Sequence, residues 1–181
     1  MKREISRELA EEIFKEHSTY VYRIALFLMK SRELAEDVTQ ETMIQVFRKY
    51  HTYDSSKPIR PWIYKIAVNT TRNMLRKQKW LRFIGEVPES DHSEVLESTV
   101  VKSEEEKELW REINNLTLKS REVIILHFYA GMKLKEVSDI LSVPLGTCKS
   151  RLNSALNTLR KQLPRNEFDF LDRGGNAYET I

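Results

Sequence analysis

Apolar residues recur along most of this chain with a period near 3.6, and no segment shows a clear two-residue alternation of apolar and polar side chains. Five glycines and five prolines in 181 residues leave few points at which helices must stop. The pattern predicts a nearly all-α protein. That length allows one domain or two small ones, and 40% hydrophobic with 31% charged residues describes an ordinary folding chain rather than a disordered one. No apolar run approaches the roughly 20 residues needed to cross a bilayer, and the opening MKREISRELAEEIF is too charged to act as a signal peptide, so a cytoplasmic protein is expected. A single cysteine, Cys148, cannot form an internal disulfide. The four histidines, His17, His51, His92 and His127, are too scattered to suggest a metal site with it, and neither metal nor cofactor is expected.

Net charge is only +3, yet its sign is segregated. No Asp or Glu occurs between Asp54 and Glu86, and none between Asp139 and Glu167. Between the two basic blocks lies EVPESDHSEVLESTVVKSEEEKE, Glu86 to Glu108, rich in Glu and Ser and poor in large apolar residues. It reads as a flexible, solvated, acidic linker. The division expected is a first helical domain over 1–82, a linker over 83–108, a second helical domain over 109–164 and a disordered tail over 165–181.

In the first domain SRELAEDVTQETMIQVFRKY opens with Ser31 as an N-cap and carries Glu33 and Glu36 near the positive end of a helix dipole. Leu34, Val38, Met43, Val46, Phe47 and Tyr50 can line an inward stripe, leaving Asp37, Glu41, Gln45 and Arg48 on a polar face. Taken alone, such a face is a solvated one. The loop-like HTYDSSKPIRP then ends that helix, and Pro61 suits the first turn of the next.

The following stretch, PWIYKIAVNTTRNMLRKQKW, places Trp62, Tyr64 and Trp80 among many cations and no acid. On a helix, Ile63, Ile66, Ala67, Thr70 and Met74 share one side, while Lys65, Asn69, Arg72, Arg76 and Lys79 share another at spacings of four, three, four and three. Phosphates attract a basic stripe through counterion release, but a stripe carries no sequence information. Rings beside a cationic track suit single-stranded nucleic acid, since an unpaired base stacks on a ring for about 1–3 kcal/mol. Trp62 and Tyr64 are the best placed for this; the competing reading buries both in the core.

In the second domain LKSREVIILHFYAGMKLKEVSDILSVPLGTCKSRLNSALNTLRKQL carries helix-turn-helix punctuation. Gly131 follows the apolar run Val123 to Tyr129 as a helix terminus, Leu134 to Leu141 makes a short second helix, and Ser142, Val143 and Pro144 turn into a third. In that third helix Cys148, Leu152, Ala155, Leu159 and Leu163 form an inward stripe, turning Thr147, Ser150, Arg151 and Ser154 outward. Small polar and basic residues near a helix N-terminus can enter a major groove: Arg151 can read guanine or grip phosphate, and Lys149 with the terminal amides can hold backbone. Cys148, on the apolar stripe, reads as a packing residue.

The ordered trio AEDVTQETMIQVFRKY, PWIYKIAVNTTRNMLRKQ and SREVIILHFYAGMKLKEVSDILSVPLGTCKSRL, with an acidic linker between the second and third, resembles the extracytoplasmic-function sigma factors of bacteria over about residues 8 to 163. The resemblance implies a dissociable initiation subunit of RNA polymerase with the second and fourth sigma regions: a region 2 helical bundle and a region 4 helix-turn-helix. It implies that Asp37, Gln40, Glu41 and Phe47 dock on the clamp coiled coil of the β′ subunit, against the solvated-face reading. It implies that the loop His51 to Lys57 and the helix bearing Trp62, Tyr64, Lys65, Asn69, Arg72, Arg76 and Lys79 open the minus-10 element and capture an unpaired base. The second domain then reads the minus-35 element through Thr147, Lys149, Ser150 and Arg151 and touches the β flap. Promoter DNA and core polymerase are the implied partners, with an anti-sigma factor, often membrane-anchored, as the implied regulator.

Some residues depart from the family pattern. Asn73 stands where an acid is common, Thr117 where proline is common, Cys148 where valine is common, and Ser154 and Leu156 where arginines often sit. Fewer arginines mean fewer phosphate contacts. A free-standing helix-turn-helix repressor is the rival reading, and it leaves the first domain unexplained. An enzyme has no support: there is no glycine-rich phosphate loop, nucleophile motif or carboxylate pair in an apolar setting.

Overall fold

The computed structural model describes residues 5–84 and 104–163, with side chains described from residue 107 onward in the second stretch. Among the described residues all regular structure is helical, in two compact units. The tail and residues 85–103 of the acidic stretch lie outside the described residues.

The first unit is built from α1 (Arg7–Met29), α2 (Arg32–Lys49) and α3 (Ile59–Phe83). Ser6 caps α1, its side chain accepting from the Leu9 amide at 3.2 Å. The helix ends where Lys30 adopts a left-handed conformation and returns its amide to the Leu26 carbonyl at 2.8 Å. Ile24 to Met29 are all buried, which makes the end of α1 the apolar centre against which α2 and α3 pack. Ser31 caps α2 as expected, accepting from Leu34 at 3.4 Å. The buried line of α2 is Ala35, Val38, Thr42, Met43 and Val46; Leu34, Phe47 and Tyr50 are only half-buried. That shifts the inward stripe expected from the sequence by a fraction of a turn.

Helix α3 begins at Ile59, with Pro58 at the N-cap, so Pro61 sits in the first turn where its missing amide hydrogen removes no helical bond. Its buried arc is broader than the expected stripe. Besides Ile63, Ile66, Ala67 and Thr70 it takes in Tyr64, Val68 and Thr71, because α3 packs on both α1 and α2.

The second unit holds α4 (Glu104–Asn115), α5 (Leu118–Ile124), α6 (Leu134–Leu141) and α7 (Leu145–Gln162). Residues 104–108, expected in the linker, are the first turn of α4. Leu109, Trp110 and Ile113 are its buried side chains. Thr117 caps α5 by accepting from the Ser120 amide at 3.4 Å, the work of a hydroxyl that proline could not do. Arg121, largely buried, donates to the Asn114 carbonyl at 2.9 Å and so fastens the end of α4 to α5. Burial pulls its guanidinium down to about 10, against the opposing pull of Glu122.

Helix α5 runs on into a π turn, Ile125–Tyr129, in which the Ala130 amide reaches the Ile125 carbonyl at 2.9 Å. Gly131 follows with a φ of 67°. The chain turns there, with His127 Nδ1 2.7 Å from the Met132 carbonyl oxygen.

Candidate nucleic-acid interface and polymerase-docking face

Helix α3 presents its cations as the sequence predicts. Lys65, Asn69, Arg76 and Lys79 are exposed and Arg72 is half-buried, on the side opposite the packed arc. Asn73 accepts a hydrogen bond from Arg76, so the departure from an acidic residue there leaves a neutral anchor for a row cation.

Trp62, half-buried at the head of this row, does not stand alone. Its ring centroid lies 5.2 Å from that of Tyr53 and 6.5 Å, edge-on, from that of Tyr50, and the two tyrosines are 5.8 Å apart. The loop behind them is held in a turn by its own polar contacts. The Asp54 carboxylate accepts from the Ser56 amide at 3.1 Å and the Ser56 hydroxyl at 2.7 Å, and pairs with Lys57 at 3.2 Å. The Ser56 bonds first, and Lys57 after them, hold the Asp54 carboxyl down at about 2. The Tyr53 hydroxyl donates to the Lys57 carbonyl. Tyr50 and Tyr53 thus brace Trp62; sequence reasoning assigned Tyr50 to an inward stripe and took in Tyr53 only as part of the loop His51 to Lys57, without singling out its ring. Their spacing of three across a helix end, ahead of Trp62, was the available signal.

Tyr64 corrects the expectation. It is 0% exposed, its hydroxyl 3.5 Å from the Arg60 guanidinium, which also lies 5.3 Å from the Tyr20 ring centroid of α1. Burial pushes the Tyr64 phenol up. Tyr64 falls on the packed arc with Val68 and Thr71, so its ring holds α3 to the bundle and offers no face to a base.

On α2 the residues Asp37 and Gln40 are exposed, Glu41 and Phe47 half-buried. Glu41 accepts from Gln45 at 3.0 Å, and Gln45 in turn accepts from Lys49 at 2.9 Å. Ile44, 48% exposed, stands among these polar groups and was missed in the sequence, where an isoleucine counts by default toward the core. An acidic face with one apolar centre suits a basic protein surface better than it suits DNA.

In the second unit α6 and α7 meet through a turn in which Ser142 takes a left-handed φ of 55° and the Val143 amide reaches the Ser138 carbonyl at 3.0 Å. Helix α7 opens with Pro144 at its N-cap. Lys149 and Ser150 are exposed, Thr147 and Arg151 half-buried, all within its first two turns beside the free amides of the helix start. Cys148, Leu152, Ala155, Leu159 and Leu163 are buried, the inward stripe as expected. Burial, countered by Arg151, pushes the Cys148 thiol up, away from the reactive thiolate. Leu145, 37% exposed ahead of the polar cluster, is a further surface residue at this tip.

An aromatic and basic helix in one unit and a helix-turn-helix in the other make a two-domain helical protein with two candidate nucleic-acid surfaces. The family model Sigma-70 region 2 matches residues 13–81, and Sigma-70, region 4 matches residues 106–159. The RNA polymerase sigma factor SigV of Bacillus subtilis is 28% identical over 92% of this chain and 98% of its own length. SigW, an extracytoplasmic-function sigma factor of the same species, is 29% identical over 79% of this chain and 82% of its own length. Among solved structures, the sigma factor RpoE of Bartonella quintana, in complex with the anti-sigma factor NepR, superposes with a TM-score of 0.73 at 22% identity, covering 87% of this chain and 97% of that one. The chain belongs to the extracytoplasmic-function sigma factors, alternative sigma factors that bind core RNA polymerase and direct it to chosen promoters.

Proposed function

We propose that this sigma factor divides its work among three surfaces. Asp37, Gln40, Glu41 and Phe47, with Ile44, dock on the β′ clamp coiled coil. Trp62, backed by Tyr50 and Tyr53, receives an unpaired base of the minus-10 element while Lys65, Asn69, Arg72, Arg76 and Lys79 hold the strand. Thr147, Lys149, Ser150 and Arg151 contact the minus-35 element, and the same unit meets the β flap.

The observation that carries this reading is the position of Trp62, a partly exposed ring braced by two tyrosines at the head of an unopposed basic row. Extruding a base costs a few kcal/mol, which ring stacking and phosphate contacts together can offset. The protein performs no chemistry of its own; bond formation belongs to the polymerase. It acts in the cytoplasm, in keeping with the finding that no described helix is long and apolar enough to cross a membrane. An anti-sigma factor, at the membrane or free, holds it inactive. Support for that control comes from solved relatives of this fold, in complex with the anti-sigma factor NepR in one case and the cytosolic domain of CnrY in another.

The test is transcription by core polymerase on the promoter of the protein's own operon. Promoter-specific RNA is expected only when the protein is present. Asp37→Ala is expected to weaken polymerase binding, and Trp62→Ala to spare that binding while reducing open complexes. A footprint by the protein alone, with no polymerase binding, would refute the reading in favour of a repressor.

A further inference from the structure

The basic row of α3 does not end at Lys79. Trp62 precedes Lys65 by three positions and Phe83 follows Lys79 by four, so the alternation of three and four that aligns the cations continues to an aromatic ring at each end. Phe83 is 86% exposed, and Trp80, beside it on the adjoining line of the helix, is 62% exposed; no other large hydrophobic side chain among the described residues is exposed as far. Ile84, at the helix end, adds a third apolar surface at 43%. Single exposed apolar residues are ordinary, but two large rings side by side at the end of a charged row are a patch. Around them stand Arg76, Lys77, Lys79 and Arg82, all exposed.

We infer that Trp80 and Phe83 form a second aromatic contact of α3 with promoter DNA, bearing on the duplex immediately upstream of the melted minus-10 segment. The inference rests on the sigma reading above, and three observations carry it further.

Continuity comes first: the rings extend the proposed DNA-facing row itself rather than another side of the helix. Distance is the second. At a rise of 1.5 Å per residue, Phe83 stands about 31 Å from Trp62 along α3, a length equal to about nine base pairs of B-form DNA, so the two ends cannot serve the same flipped base. The third is chain direction. In chain order α3 is followed by the unit that bears α7, the proposed reader of the minus-35 element, and that element lies upstream. A chain that must reach that element from the far end of α3 assigns this end to the upstream, paired side of the melted segment.

On paired DNA a ring has no base to stack upon. It can instead lie against thymine methyl groups and deoxyribose edges, while Lys79 and Arg82 grip the flanking phosphates. An acidic helix of a protein partner is the competing occupant. It would match the charge but has no reason to follow the three-four register of the DNA row.

The experiment uses holoenzyme assembled from core polymerase and the full chain, with wild type, the double variant Trp80→Ala/Phe83→Ala, and Trp80→Phe. Binding is measured on two templates with the same minus-10 sequence: one with complete upstream duplex, the other with its duplex ending at the upstream edge of the minus-10 element. The double variant is expected to bind the first template about tenfold more weakly than wild type, a difference of about 1.4 kcal/mol, and the second equally well. Trp80→Phe is expected to retain most of the wild-type affinity, because an aromatic face remains.

Equal binding of wild type and double variant to the first template would overturn the inference. So would an equal loss on both templates, which would place the rings at the melted strand or in the fold, and so would loss of core polymerase binding. Unchanged DNA binding with weakened inhibition by an anti-sigma factor would overturn it in favour of the protein partner. Failure of wild-type holoenzyme to bind either template would refute the sigma-site reading itself, a separate result from any of these.

Discussion

The Tyr64 ring has no exposed surface, and Arg60 meets it only distantly, at 3.5 Å from its hydroxyl and 5.8 Å from its ring centroid, so packing is its main contribution. Removing a buried ring of this kind leaves a cavity as well as losing transfer energy. Tyr64→Ala is expected to destabilise the first unit by about 3–5 kcal/mol, and Tyr64→Phe, which keeps the ring, by no more than about 1 kcal/mol. Trp62→Ala loses edge and tilted ring contacts with Tyr50 and Tyr53 and should cost about 1–2 kcal/mol. Chemical denaturation of the three variants checks the order; a Trp62→Ala loss as large as that of Tyr64→Ala would mean Trp62 is core. His17 supplies a second test at this scale. It is 2% exposed, with Glu16 Oε2 at 3.8 Å from its Nε2 and the Arg60 cation near it. Burial first, then Arg60, hold its pKa below the ordinary 6.5, against the opposing pull of Glu16. The unfolded chain therefore takes up a proton that the folded chain resists. This penalty is absent above about pH 6.5 and grows as the pH falls below it. Melting temperatures at pH 7.5 and 5.5 should differ less for His17→Leu than for wild type, and an unchanged difference would remove His17 from the account.

At the scale of elements, the helix-turn-helix was legible because its boundaries are written in residues of restricted geometry. Gly131 occupies a left-handed position at φ 67° and Pro144 opens α7. A Cβ at Gly131 would meet nothing within 4 Å, so Gly131→Ala tests backbone strain alone and should destabilise the second unit by about 1–2 kcal/mol. No measurable change in thermal unfolding would show that the turn relaxes. The π turn before it, by contrast, was not legible. A shift from a four- to a five-residue hydrogen bond changes neither composition nor burial period, and the apolar run reads the same in both. Helix α4 was hidden for another reason. EEEKELWREINN opens with the acids of the preceding stretch, and Leu109, Trp110 and Ile113 become a stripe only once the helix is assumed. Tyr64 was misplaced because a wheel drawn from sequence gives the direction of a buried face but not its width. Packing on both α1 and α2 widened the arc of α3 until it took in Tyr64, Val68 and Thr71.

For the whole molecule, a net charge of only +3 gives little general attraction to DNA, so affinity must come from where the cations are placed and from engaging two promoter elements at once. Each phosphate that a cation neutralises steepens the fall of log affinity with log salt by about 0.9 on duplex DNA. Helix α7 carries Ser154 and Leu156 where relatives in this family often carry arginine. Ser154 is exposed one turn beyond Ser150, on the face proposed for the minus-35 element, whereas Leu156 is half-buried and partly committed to packing. An arginine is therefore accommodated at the first position without disturbing the buried line of Cys148, Leu152, Ala155 and Leu159. Ser154→Arg is expected to strengthen binding of the full chain to duplex containing the minus-35 element and to steepen its salt slope by about one unit. The gain should appear equally on mismatched duplex, since a phosphate contact adds no readout of sequence. A titration across salt concentrations decides it. An unchanged slope would show that this face of α7 does not approach the phosphates, and with that the assignment of Thr147, Ser150 and Arg151 to the DNA side of the helix would fall as well.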